Sequence, residues 1–209
     1  SWQHGYPLGT LWNGTFGGAT FWDTLFAADG MLRCGHIQPV RDFCSWLAAA
    51  QQPQGRPFYW MTYFDGRPVE TDDSAYQVCL AFAGIAIRLY EITRRDNDLR
   101  ERTFPILRRL AEYAITNVIK RVGGTWQLRG TVSGDVGAAE ADAAREPGML
   151  AWVAVCLAKF AEYADRLGEH DRTVNACRLL RHDLQTAPVS LESPGMWGAW
   201  YPYLLGLNP

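Results

Sequence analysis

Two stretches of this chain are apolar on every side, and each is followed directly by one that is apolar on a single side. The first is VCLAFAGIAI (78–87), inside a helix that opens at Asp72 or Asp73 and runs to about Arg94. The second is MLAWVAVCLAKFAEYADRL, over about 148–167. A helix with one apolar stripe can lie on a surface, whereas one apolar all round has to be covered on all sides. The followers run from Asp98 or Arg100 to about Lys120 and over about 170–185. In the former, Ile106, Leu107, Leu110, Tyr113, Ala114 and Val118 recur at helical spacing opposite a charged side. Inner helices covered by outer ones satisfy both patterns.

A first pair of helices precedes these two. One spans about 20–33, with Thr20 or Thr15 as its cap. The other begins near Pro39, where a proline suits a first turn, carries Val40, Phe43, Cys44 and Leu47, and ends before Gln52-Pro53. The fold class is therefore all-α, with about six helices in three hairpins and a short strand or hairpin near FYWMTYFDG. A single domain over 1–209 is expected, with irregular aromatic-rich ends at 1–19 and 186–209. Periodicity leaves a double ring, an open array of hairpins and a compact bundle all open.

Composition narrows the function. Lys and Arg number 20 against 22 Asp and Glu, and no basic stripe interleaves with aromatics, so nucleic acid is not an expected partner. The arginines at 94, 95, 100, 102, 108 and 109 alternate with acids, as on a solvated helix face. No uncharged apolar run approaches the roughly 18 residues of a membrane span. A signal peptide is not visible at the N-terminus, unless one has been removed. The five dispersed cysteines form no CxxC pair, which favours a reducing compartment, and a cytoplasmic location is expected. With no HExxH and no tight His/Cys/Asp cluster, neither a metal nor another cofactor is expected.

Four segments combine aromatic rings with carboxylates. In GGATFWDTLFAADG (17–30), Phe21 and Trp22 stand beside Asp23; a ring stacks on the C–H face of a sugar while a carboxylate accepts its hydroxyls. Equally, Asp23 can cap a helix and Trp22 can be core. RPFYWMTYFDGRPVETDD (56–73) sets Tyr59 and Trp60 ahead of Asp65, Glu70, Asp72 and Asp73, either as an acidic aromatic wall or as a hairpin leading to a helix cap. LRGTVSGDVGAAEADAARE (128–146) carries Asp135, Glu140, Asp142 and Glu146, either as a catalytic loop or as a solvated acidic linker. The tail, with Trp197, Trp200, Tyr201 and Tyr203, can close over a groove or plug the domain.

TFWDTLF resembles the FWDTE segment of the maltose, kojibiose and trehalose phosphorylases and their hydrolase relatives, within the (α/α)6 six-hairpin glycosidases. The stretch TDDSAYQVCLAFAGIAIRLYEITRRDNDL is similar to their inner helix, which ends in a Y-x-x-x-T-G-D-like turn; here that turn reads YEITRRDND. LRRLAEYA is similar to the outer helix that follows. WQLRGTVSGDVGAAEADAAREPGMLAW stands where the family has its catalytic loop, VIGPDEYH…NNAYTN. With Gly134 aligned, Gly137 takes the place of the general-acid Glu, and Ala144 and Arg145 that of the NN pair.

The resemblance covers about residues 15–165 and implies part of an (α/α)6 toroid, either a half ring or a fragment completed by a homo-oligomer or a partner chain. It implies a mono- or oligosaccharide ligand, with Trp22 and Asp23 contacting the sugar and Phe21, Tyr59, Trp60 and Trp197 beside them. Glu140 or Asp135 would be a relocated acid, Glu140 having the greater reach, with Asp73 positioning water. The family's phosphate-binding segment lies beyond the region of likeness, so hydrolysis is expected rather than phosphorolysis. A carbohydrate-binding or scaffold module without catalysis is the alternative.

Overall fold

A computed structural model of the protein describes residues 19–20, 24–49, 61–62, 76–128 and 147–186. Six helices carry most of them. α1 spans Thr24–Arg33, α2 Ile37–Ala49 and α3 Tyr76–Thr93. α4 is an unbroken run over 96–118, composed of Asp96–Asp98, Leu99–Thr103, Phe104–Tyr113 and Ala114–Val118. α5 spans Pro147–Leu167 and α6 Arg172–Thr186. Two short antiparallel ladders join β1 (Ala19–Thr20) to β2 (Met61–Thr62), and β3 (Ile119–Val122) to β4 (Thr125–Leu128). The fold is predominantly α-helical, and the chain divides into two compact units between Arg109 and Leu110.

Helix ends follow local chemistry. After α1 the Gly35 N–H donates to the Leu32 carbonyl (3.1 Å) and the His36 N–H to that of Met31 (2.8 Å), the two bonds that close a helix on a left-handed residue. The same pair recurs after α5, where Gly168 donates to Asp165 and Glu169 to Ala164. α6 then starts on Asp171, whose carboxylate accepts the Val174 N–H at 2.9 Å as an N-cap. α3 ends differently: Arg94 takes the left-handed conformation (φ +52°) that glycine usually fills, and its N–H donates to the Tyr90 carbonyl.

α4 contains a proline, which removes an N–H and presses its ring on the carbonyl four residues earlier. The turn just ahead of Pro105 is widened, with the Phe104 N–H donating to Leu99 five residues back. This wider turn makes room for the ring while the helix continues.

In the first unit α3 packs against α1, α2 and the start of α4. Every side chain from Leu80 to Tyr90 is buried except Arg88. Around it lie Leu25, Ala28 and Leu32 of α1 and Val40, Phe43, Cys44 and Leu47 of α2, all buried. The rings of Phe43 and Phe82 meet at 5.9 Å between centroids. Thr103 donates its hydroxyl to the Ala86 carbonyl at 2.9 Å, fastening α4 to α3 inside the core. In the second unit α5 packs on α6. There Trp152, Leu157, Phe160 and Tyr163 are buried, as are Val174, Cys177 and Leu180 on one side of α6.

One expectation changes. The helix expected to reach Lys120 stops at Val118, and residues 119–128 form a hairpin across Gly123-Gly124. Val122 pairs with Thr125, and both glycines have positive φ (56° and 85°), the two-residue turn whose twist matches that of its strands. Two extended runs flanking Gly-Gly are the sequence signal for such a turn. The short strand expected near FYWMTYFDG is present as β2, and it pairs with β1, some forty residues earlier.

Glycine substitutions should separate these backbone effects. Gly124→Ala adds a methyl that meets nothing within 4 Å, so only the left-handed backbone is penalised, by about 1–2 kcal/mol. Gly30→Ala also has open space but lies within α1, where alanine should stabilise by about 0.5–1 kcal/mol. Urea unfolding of the two variants should move the midpoint in opposite directions.

Candidate functional site

Phe21, Trp22, Asp23, Tyr59, Trp60, Asp73, Asp135, Glu140 and Trp197 all lie outside the described residues. The structure describes the frame on either side of several of them. Thr20 pairs with Met61 and Ala19 with Thr62, so the end of β1 and the start of β2 are adjacent. Residues 21–23 join that end of β1 to the first turn of α1, and residues 59–60 lead directly into β2.

Two charge networks within the first unit were not expected from the sequence. Asp98 was read only as the beginning of a helix, and it is 1% exposed. Arg41 of α2 grips it with both arms of its guanidinium, Nε to Oδ1 at 2.8 Å and Nη2 to Oδ2 at 2.9 Å. Arg102, one turn further along α4, adds a contact from Nη1 to Oδ1 at 3.2 Å, and its Nε donates to the Ser45 hydroxyl at 2.7 Å. Burial alone would raise the Asp98 carboxyl. The Arg41 and Thr93 hydrogen bonds and the charges of Arg41 and Arg102 outweigh it, so the group sits below its usual value. Arg41 is raised in return, chiefly by its bonds to Asp98.

The second network crosses from α1 to α3. Asp29, 8% exposed, accepts from Arg33 at 2.6 Å and from Arg88 at 2.9 Å. Arg88 also lies 3.6 Å from Glu91. In both networks every carboxylate has a cation, so each reads as a satisfied link between helices. Neither holds a spare base or acid for chemistry.

The three buried thiols are also structural. Cys44, Cys156 and Cys177 are buried and free, while Cys34 is exposed. Burial pushes the Cys44 and Cys177 thiols up to about 12 and raises Cys156 as well, which keeps them protonated and unreactive. Among the described residues no three His, Cys, Asp or Glu side chains group as a metal site. No described helix is long and apolar enough to cross a membrane.

The described residues define a predominantly helical fold, with six helices and two small ladders among them. The chain matches no protein-family model, no curated protein and no solved structure.

Proposed function

We propose that the chain is a glycoside-processing protein of the six-hairpin type, hydrolytic rather than phosphorolytic, acting on a glucoside or related oligosaccharide. The observation that carries this reading is the β1–β2 ladder. It makes the strand end that leads into Phe21, Trp22 and Asp23 adjacent to the strand start that follows Tyr59 and Trp60. Two aromatic segments flanking a carboxylate are what a sugar site requires: rings for the C–H face and an acceptor for the hydroxyls.

In this reading Trp22 stacks on the sugar and Asp23 accepts its hydroxyls. Phe21, Tyr59, Trp60 and Trp197 complete the walls. Glu140 or Asp135, held protonated, gives its proton to the glycosidic oxygen as the bond to the anomeric carbon breaks. Asp73 takes the proton from the attacking water. An inverting arrangement needs these carboxyls about 6.5–9.5 Å apart.

Maltose titration followed by calorimetry, together with an assay for released glucose, tests it. The wild type should bind and turn over. Asp23→Ala should lose about 1.5–3 kcal/mol of binding, roughly ten- to hundredfold in Kd. Glu140→Gln should bind yet release no glucose. Binding without release by the wild type favours a non-catalytic carbohydrate module, the reading that Gly137 at the family's acid position supports. Absence of binding to maltose, kojibiose and trehalose alike removes the sugar reading.

A further inference from the structure

Arg88 is the only charged residue between Leu80 and Tyr90, where every other side chain is buried. Its own side chain is 16% exposed. The buried surfaces of the two helices are apolar: Ala, Gly, Ile, Leu, Phe and Tyr on α3, and Leu25, Ala28 and Leu32 on α1. Burial of such surfaces is strong but non-directional. Neighbouring ridges of similar shape therefore let one helix settle a turn, about 5.4 Å, up or down its partner at small cost.

The charges are directional. α1 supplies Asp29 with Arg33 beside it (2.6 Å), and α3 supplies Arg88 with Glu91 beside it (3.6 Å). The bond between helices runs from Arg88 Nε to Asp29 Oδ1 at 2.9 Å. A slip of one turn would break this bond, leaving a mostly buried carboxylate with Arg33 alone and a mostly buried guanidinium with Glu91 alone, a loss of directional pairing that the apolar contacts do not register.

We infer that Arg88 and Asp29 form a register lock that fixes α1 along α3, making Arg88 a positioning residue for the segment that enters α1. Residues 21–23 lie directly ahead of α1 in the sequence, which ties the lock to Trp22 and Asp23 only through the proposed sugar site. The consequence for sugar rests on the reading above, whereas the register does not.

Amide hydrogen exchange of the full chain decides between lock and bystander. In Asp29→Leu/Arg88→Met, apolar contact is kept and the lock removed. Residues 25–33 should exchange at least tenfold faster, while residues 152–164 of α5 keep the wild-type rate. Unchanged exchange in 25–33 overturns the inference. Should that variant not fold, Arg88→Lys decides, because it keeps charge and stem but loses the Nε donor. Faster exchange confined to 25–33 supports the lock, and wild-type exchange there overturns it. Maltose titration of Arg88→Lys separates the two readings. A wild type that binds while the variant binds at least fivefold more weakly supports positioning of the sugar site, and equal binding limits the lock to α1. A wild type that does not bind removes the sugar reading, and the exchange result still decides the lock.

Discussion

Asp98→Ala is expected to remove about 3–5 kcal/mol of folding stability, a large share of the roughly 5–15 kcal/mol that holds a domain together. The reason is what remains afterwards. Arg41 has 14% of its side chain exposed and Arg102 19%, so both guanidinium groups would stay largely out of water with their shared carboxylate gone. Arg102→Ala should cost less, since Asp98 keeps its two-armed partner in Arg41. Urea unfolding by far-UV circular dichroism measures both. A loss under about 1 kcal/mol for Asp98→Ala would place the cluster among ordinary surface pairs.

The same residue should shape the acid limb of stability. Its carboxyl is held below its usual value in the folded protein, so the unfolded chain takes up its proton first as pH falls. The stabilisation is complete above the unfolded carboxylate value of about 3.9 and disappears as pH drops through the lower folded value. Asp98→Asn should therefore flatten the fall of stability in that window relative to the wild type.

Trp152→Ala should have an effect of similar size in the second unit. Trp152 is 1% exposed and heads the fully buried side chains by volume, and truncating a buried tryptophan typically costs about 3–5 kcal/mol through lost transfer energy and the cavity left behind. Leu179 on α6 is the control: at 73% exposure, Leu179→Ala should stay within about 0.5 kcal/mol of wild type. Thermal melts and exchange of the α5 amides would show the contrast. Comparable losses in the two variants would mean that α5 is not organised around this ring.

Helical periodicity made much of the fold legible. The apolar face assigned to α2, Val40, Phe43, Cys44 and Leu47, is buried throughout. On α4 the assigned face is buried at Ile106, Leu107, Leu110, Ala114 and Val118, with Tyr113 half-buried at its margin. From Leu80 to Ile87, the run in α3 that reads as apolar all round is buried throughout. The Gly-Gly hairpin was missed, because the amphipathic pattern running into it concealed the change from a helical period to an extended one. The candidate sugar contacts were legible only as residue types, because stacking and acid–base chemistry depend on separations that a one-dimensional pattern does not contain.

Burial periodicity is a property of each helix alone, set by the 3.6-residue turn and the cost of hydrating apolar side chains, so the sequence by itself determined which segments are helical and which faces are hidden. Partners distant in the chain are another matter. Asp98 meets Arg41 57 residues away, Asp29 meets Arg88 59 residues away, and β1 pairs with β2 some forty residues on. Only the tertiary structure decided these. A charge looks the same in sequence whether it faces water or a distant guanidinium, and packing alone chooses between them.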